Sequence, residues 1–187
     1  MKAGIYYGPQ DIRVEEVDVP TVPPGHVLVD TKVSGICGSD LHTYYGEWKQ
    51  PEDQIASGHE LSGVVVEVGD DISEVAIGDR VCAECFYHCG KCPFCRIGLY
   101  NLCDNIQYQS RVGHGGFAEY SLLPESALFK LPECLSFEEG ALVEPLAVAY
   151  RAVNRTNAGG KDRLAIIGAG TIGSVSLPPA FVLLTAL

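Results

Sequence analysis

The run "CGKCPFCRIGLYNLC", Cys89 to Cys103, restricts what this chain can fold into more than any other feature. Its cysteines stand at 89, 92, 95 and 103, with two, two and seven residues between them. Six of the eight cysteines in the chain, Cys82, Cys85, Cys89, Cys92, Cys95 and Cys103, fall within 22 residues. In an oxidising compartment such a cluster is a disulfide framework, and in a reducing one it is a metal site. The N-terminus "MKAGIYYGPQDIRVEE" has no long apolar core and turns acidic at once, so no signal peptide is expected. The longest apolar tail, "AFVLLTAL", is eight residues and too short to cross a bilayer. A soluble cytoplasmic protein with no membrane partner is therefore expected, and its clustered cysteines are read as ligands.

Zinc takes four thiolates in a tetrahedron with Zn–S bonds of about 2.3 Å, and reverse turns at Gly90 and Pro93 can bring the sulfurs round. A four-sulfur site is closed to water, so its role is to hold a loop. Bound zinc contributes on the order of 10 kcal/mol to the folding of small sites. A rival set, Cys82, Cys85, Cys92 and Cys95, forms two CxxC pairs with six residues between them, but it leaves Cys89 and Cys103 idle. The contiguous set Cys89, Cys92, Cys95 and Cys103 is preferred, with Cys82, Cys85 and Cys134 read as small apolar residues.

A chain of 187 residues, 47% hydrophobic and 20% charged, has room for one full domain and part of another. Lys plus Arg number 13 against 24 for Asp plus Glu, a formal charge of -11, which repels a phosphate backbone and excludes nucleic acid as a partner. The first 130 residues read as short strands, among them "HVLVDTKVSGIC", "LSGVVVEVG" and "GFAEYSLLP", punctuated by Pro and Gly. This pattern suggests a barrel-like β domain with long functional loops. The character changes at "LSFEEGALVEPLAVAYRAVNRT". Ser136 followed by Glu139 is a capping box, and Pro145 breaks or restarts the helix, placing Glu144 at a joint. "NAGGKD" then reads as a linker and "RLAIIGAG" as a buried strand running into a glycine-rich turn.

Three further stretches carry metal-capable side chains: "GICGSDLH" with Cys37, "SGHELSG" with His59 and Glu60, and "LVEPLAVAY" with Glu144. Taken singly each has an ordinary structural explanation. Taken in this order, with the cysteine lobe and a GxGxxG, they resemble the zinc-dependent alcohol dehydrogenase family, the medium-chain dehydrogenases with a GroES-like catalytic domain. The resemblance covers about residues 1 to 173. It implies a GroES-like catalytic domain over 1–150 with its structural zinc lobe at about 85–105, and over 151–187 a truncated start of a Rossmann dinucleotide-binding domain.

The resemblance also implies a second, catalytic zinc held by Cys37 and His59, with Glu60 or Glu144 as third ligand. One thiolate and one carboxylate neutralise the ion and leave a position open, so one glutamate is expected to ligate while the other swings or accepts a hydrogen bond. The form with glutamate in "VEPLAVAY" resembles the sorbitol, butanediol and related polyol dehydrogenases, which implies a small secondary alcohol or polyol as substrate. Ser39 and His42 match the family's proton relay. Asp40 suits the free nitrogen of His59, whose tautomer it would hold, while turn formation in "CGSD" is the alternative use of Ser39 and Asp40.

Hydride must pass to a carrier, because no side chain accepts one. Gly168, Gly170 and Gly173 of "GAGTIG" supply the tight turn, the close approach to a pyrophosphate and the helix packing of an NAD or NADP site. The acidic ribose reader is expected about 20 residues further on, whereas 14 residues follow Gly173 and Pro178-Pro179 interrupt them. The expectation is therefore a chain that begins a cofactor domain, is inactive alone and does not hold the cofactor. The alternative is a non-enzymatic zinc-binding β domain. The unpaired strand and the apolar tail Ala180 to Leu187 are expected to promote aggregation. Neither the choice of NAD or NADP nor homo-oligomer formation is fixed by these residues.

Overall fold

The computed structural model describes residues 1–48, 58–109, 115–158 and 162–177. The chain divides into two compact units, Met1–Ala141 and Leu142–Leu187. The boundary expected at 150/151 falls inside a helix, Val143–Arg155.

The first unit is built on strands β1 (Lys2–Gly8), β2 (Asp11–Glu16), β3 (His26–Gly35), β4 (Glu60–Val68), β5 (Arg80–Ala83), β6 (Phe86–Tyr87), β7 (Gln107–Tyr108), β8 (Tyr120–Pro124) and β9 (Leu128–Lys130). Five of them form one antiparallel sheet in the order β8-β3-β4-β5-β9. The two edge strands, β8 and β9, are consecutive in sequence and joined only by Glu125–Ala127. So short a link forces the sheet to curl until its edges approach, which gives the expected barrel-like form.

The runs read as strands are strands, and the reason is visible in their burial. Val27, Val29, Leu61, Val65, Val81 and Leu123 are at most 1% exposed and meet in one core. Each such side chain contributes about 1.5–3 kcal/mol by leaving water. The link between the edges is itself clamped, because Glu125 Oε1 accepts the backbone N–H groups of Ser73, Glu74 and Val75 at 2.8, 2.5 and 3.3 Å.

The helices follow their end signals. In α1 (Gly38–Tyr44) the N-cap is Cys37, and α2 (Pro93–Arg96) opens on its proline behind Cys92. Helix α3 (Phe137–Ala141) has the reciprocal cap expected of Ser136 and Glu139, with bonds of 2.7 and 3.2 Å. Two contacts dock it on the sheet. Ser62 Oγ donates to Phe137 O at 2.5 Å. Arg80 donates to the carbonyls of Pro132, Glu133 and Leu135 and lies over the Phe137 ring at 4.5 Å.

In the second unit, α4 (Val143–Arg155) begins after a break at Leu142 and carries Pro145 in its first turn, where a missing N–H costs nothing. Pro145, Ala149 and Val153 are its buried residues, spaced four apart on one stripe. α5 (Thr171–Val175) follows the glycine-rich turn.

Two expectations are corrected. Leu164 to Ile167, read as a buried but unpaired strand, forms no strand, and Ile167 is 99% exposed. An extended segment without a neighbour has no ladder to satisfy its backbone, so an apolar run alone does not make a strand. Cys134, read as a packed apolar residue, is exposed, because Leu135 N donates to Pro132 O at 3.1 Å and the turn so formed puts Cys134 at the surface. Pro178-Pro179, the tail 180–187 and the linker positions 159–161 lie outside the described residues. Among the described residues no helix is long and apolar enough to cross a membrane.

Candidate functional site

Among the described residues of the first unit, two clusters of metal-capable side chains form. The larger lies in the lobe between β6 and β7, whose pairing closes the lobe at its base together with the Gln109 N to Cys85 O bond of 3.0 Å. The sulfurs of Cys89, Cys92, Cys95 and Cys103 all lie within 4.8 Å of one another. A tetrahedron of 2.3 Å Zn–S bonds separates its sulfurs by about 3.8 Å, and Cys92 Sγ and Cys95 Sγ are 3.5 Å apart. Among the described hydrophobic residues, only Ile106 packs into this centre besides the four cysteines, so the lobe has sulfur where a domain would have a hydrocarbon core.

The lobe's backbone is also arranged for thiolates. Cys103 Sγ accepts the N–H of Cys89 and of Asn105, each at 3.3 Å, and Cys92 Sγ accepts that of Cys95 at 3.5 Å. The amides of Lys91 and Cys92 pull the Cys89 thiol down to about 6, while burial pushes Cys95 up to about 12. A donor set of this kind fits zinc, and it is the contiguous set. In the rival set Cys82 sits in β5 with its sulfur 3.8 Å from Phe129 O.

The smaller cluster arises where β3 ends and β4 begins. Gly35 pairs with Glu60 at that end of the ladder, so residues just beyond one strand stand beside residues just before the other. Cys37, His59 and Glu60 thereby bring a sulfur, a ring nitrogen and a carboxylate oxygen within 4.8 Å of one another. Glu60 is 6% exposed, and a Cβ at position 35 would overlap its Oε2 and stand 3.1 Å from its Cβ. Glycine at 35 is therefore what leaves room for this buried carboxylate. Gly58, with φ +108, turns the chain into His59 and packs so closely on Phe117 that a side chain would not fit. A soft thiolate and an imidazole, both partly buried, together with the buried carboxylate of Glu60 make fewer than four donors and suit zinc with a coordination position to spare.

Asp40 flanks this cluster. Its Oδ2 accepts Cys37 N–H at 2.8 Å and its Oδ1 stands 3.9 Å from His59 Nδ1, close enough to attract and too long for a hydrogen bond. Burial raises the Asp40 carboxyl, against the opposing pull of the Cys37 amide and of His59. Ser39 and His42 lie on α1, three apart and so on one face. His42 is half exposed and meets two residues that the sequence reading did not single out, Glu47 and Trp48. Glu47 and Trp48 carry no motif, and Gly35 opens the stretch "GICGSDLH" without a role of its own in the sequence reading.

In the second unit Glu144 lies in the first turn of α4. Gly168, with φ +106, makes the turn before α5, and a Cβ on Gly173 would strike the Gly168 carbonyl. The first and third glycines thus close on each other, with Gly170 as N-cap.

Residues 23–133 match the alcohol dehydrogenase GroES-like domain. The D-arabitol-phosphate dehydrogenase of Enterococcus avium is 39% identical over 92% of this chain and 51% of its own length. The (R,R)-butanediol dehydrogenase of Bacillus subtilis is 40% identical over 92% of this chain and 52% of its own. Among solved structures, galactitol-1-phosphate dehydrogenase from Escherichia coli superposes with a TM-score of 0.90 at 32% identity, covering 98% of this chain and 53% of that one. The chain spans about half the length of the curated relatives it matches.

Proposed function

The chain belongs to the alcohol dehydrogenase family with a GroES-like domain, and from that premise we propose that it serves the oxidation of a secondary alcohol or polyol to a ketone, with NAD or NADP as hydride acceptor. The observation that carries the reading is the convergence of Cys37, His59 and Glu60 within 4.8 Å, apart from the closed four-sulfur site. A structural zinc needs four protein ligands, whereas a catalytic one keeps a position for substrate. The names of the relatives, which act on a diol and on sugar-alcohol phosphates, support a polyhydric or secondary alcohol.

Cys37, His59 and Glu60 would hold the catalytic ion, and Cys89, Cys92, Cys95 and Cys103 the structural one. Zinc at the first site would supply Lewis acidity, lowering the pKa of an alcohol hydroxyl as it lowers that of water from 15.7 to about 7. The Cys37 thiolate and the Glu60 carboxylate carry two negative charges that offset the ion, and His59 adds none. Asp40 keeps the His59 ring oriented by attraction at Nδ1. Ser39 takes the substrate's hydroxyl proton, and His42, half exposed one turn later, passes it to solvent. Gly168, Gly170 and Gly173 would form the cofactor turn, with Gly170 letting the backbone approach the pyrophosphate and Gly173 packing the helix against Gly168. A cytoplasmic location and homo-oligomer formation belong to the same proposal.

Metal analysis of the purified chain tests it. Two zinc ions per chain are expected, and one after Cys92→Ser. Glu60→Ala should abolish the other zinc while Glu144→Ala retains it. The reverse result would make Glu144 the third ligand, and no tightly held metal at all would overturn the reading.

A further inference from the structure

Beyond α1 the chain turns at Gly46, whose φ is +74, and comes back on the helix it has just left. The backbone N–H groups of Glu47 and Trp48 both donate to the carbonyl of His42, at 2.9 and 3.4 Å. One carbonyl therefore anchors two consecutive residues, and both of their side chains engage the ring of that same histidine. Glu47 Oε2 lies 2.5 Å from His42 Nδ1. The Trp48 indole stacks on the imidazole, with centroids 5.0 Å apart and planes inclined by 18°. The side chains of His42 and Glu47 are 50% and 57% exposed, and an ion pair so open to water adds little to stability. The fold does not need this arrangement.

Its effect is on the ring. A carboxylate near neutral pH has no proton to give, so a contact this short requires the proton to sit on Nδ1. Nε2 is then the nitrogen with a free lone pair. A half-turn of the ring about its bond to Cβ would put Cδ2 where Nδ1 stands and Cε1 where Nε2 stands, and so would break the contact with Glu47.

We propose that Glu47 is a positioning residue that holds His42 in its Nδ1–H tautomer, leaving Nε2 to receive the proton that Ser39 hands on. The inference rests on the reading of Ser39 and His42 as the path by which the substrate's hydroxyl proton leaves. Ser39 gives up its own proton to Nε2 as it takes the substrate's. The imidazolium so formed keeps its Nδ1–H against the Glu47 carboxylate and releases the Nε2 proton to solvent, which restores the starting tautomer. Trp48 holds the plane of the ring through the cycle, and the Glu47 contact sets which edge faces the carboxylate.

Long-range proton–nitrogen NMR spectra of the labelled, zinc-loaded chain test this at about pH 8, where an unperturbed imidazole is neutral. The expected result is the Nδ1–H form for His42 in the wild-type chain. Glu47→Gln should retain it, because an amide oxygen still accepts. Glu47→Ala should shift the ring toward the Nε2–H form that free histidine favours. An Nε2–H tautomer in the wild-type chain, or an Nδ1–H population unaltered by Glu47→Ala, would overturn the proposal. Zinc content measured on the same samples reports separately on the metal reading, since neither variant alters a ligand, and two ions are expected in each.

Discussion

Replacing Gly35 by alanine should empty the three-donor metal site and leave the four-sulfur one filled. The added Cβ would overlap Glu60 Oε2 and lie 3.1 and 3.3 Å from Glu60 Cβ and Cδ. The main chain on either side is fixed by the β3–β4 ladder, so the carboxylate is the part that yields, and it must retreat by more than an ångström to reach ordinary contact. Metal–ligand distances tolerate only about 0.2 Å, so the oxygen is lost as a ligand. Even the loss of an outer partner costs 10–100-fold in metal affinity as a rule, so loss of a direct one should cost at least about 100-fold, or about 2.8 kcal/mol. Gly38→Ala is the control: a Cβ there meets nothing within 4 Å, and that variant should keep both ions. Titration against a chromophoric zinc chelator, with total metal by mass spectrometry, reads the outcome. If Gly35→Ala holds two zinc ions as tightly as Gly38→Ala does, the carboxylate is not a ligand and the reasoning fails.

Two further expectations follow from the scaffold. Arg80→Ala removes three hydrogen bonds to carbonyls and a ring contact, and should cost about 3 kcal/mol, roughly half of it from the partly buried bond to Leu135; Arg80→Lys should recover about half, since an ammonium cannot fork. Urea unfolding of the zinc-loaded chain followed by far-ultraviolet circular dichroism measures both, and equal losses would contradict the clamp. For pH, Lys130 first and then the Ala76 amide hold the Asp79 carboxyl below its ordinary 3.8. The folded chain therefore binds this proton less readily than the unfolded one, so the stabilisation is present above about pH 4 and lost as pH falls through the lowered value. Asp79→Asn should flatten the acid limb of the melting temperature, and an unaltered limb would show that the pair contributes nothing.

Most of the scaffold could be read from the residues because local rules and tertiary packing agree there. The alternating and β-branched runs at 26–37 and 61–69 became β3 and β4, and Ser136 with Glu139 capped α3. The four cysteines were legible because short spacing through Gly90 and Pro93 leaves little freedom. Leu164 to Ile167 misled because an apolar run reports burial appetite, whereas Ile167 is 99% exposed. The role of Gly35 was hidden for a different reason. Which residue it faces depends on the β3–β4 register, and that register is set by irregularities between Leu28 and Val29 and between Thr31 and Val33. The third-ligand question stayed open in sequence because Glu60 and Glu144 lie far apart along the chain, and spacing cannot rank them.

The pairing of Gly35 with Glu60 has a consequence for how such a protein can change over time. Residues 36–59, 24 in all, leave and re-enter the sheet at one rung. The entropy of closing that excursion is met by the ladder, and doubling its length would add only about 0.6 kcal/mol. Cys37, His59 and Glu60 all sit at the neck, within two residues of the rung. Insertions and substitutions elsewhere in that stretch can be absorbed without moving the donors that meet at the neck. Descendants of one scaffold can therefore vary along that stretch while the three donors stay together.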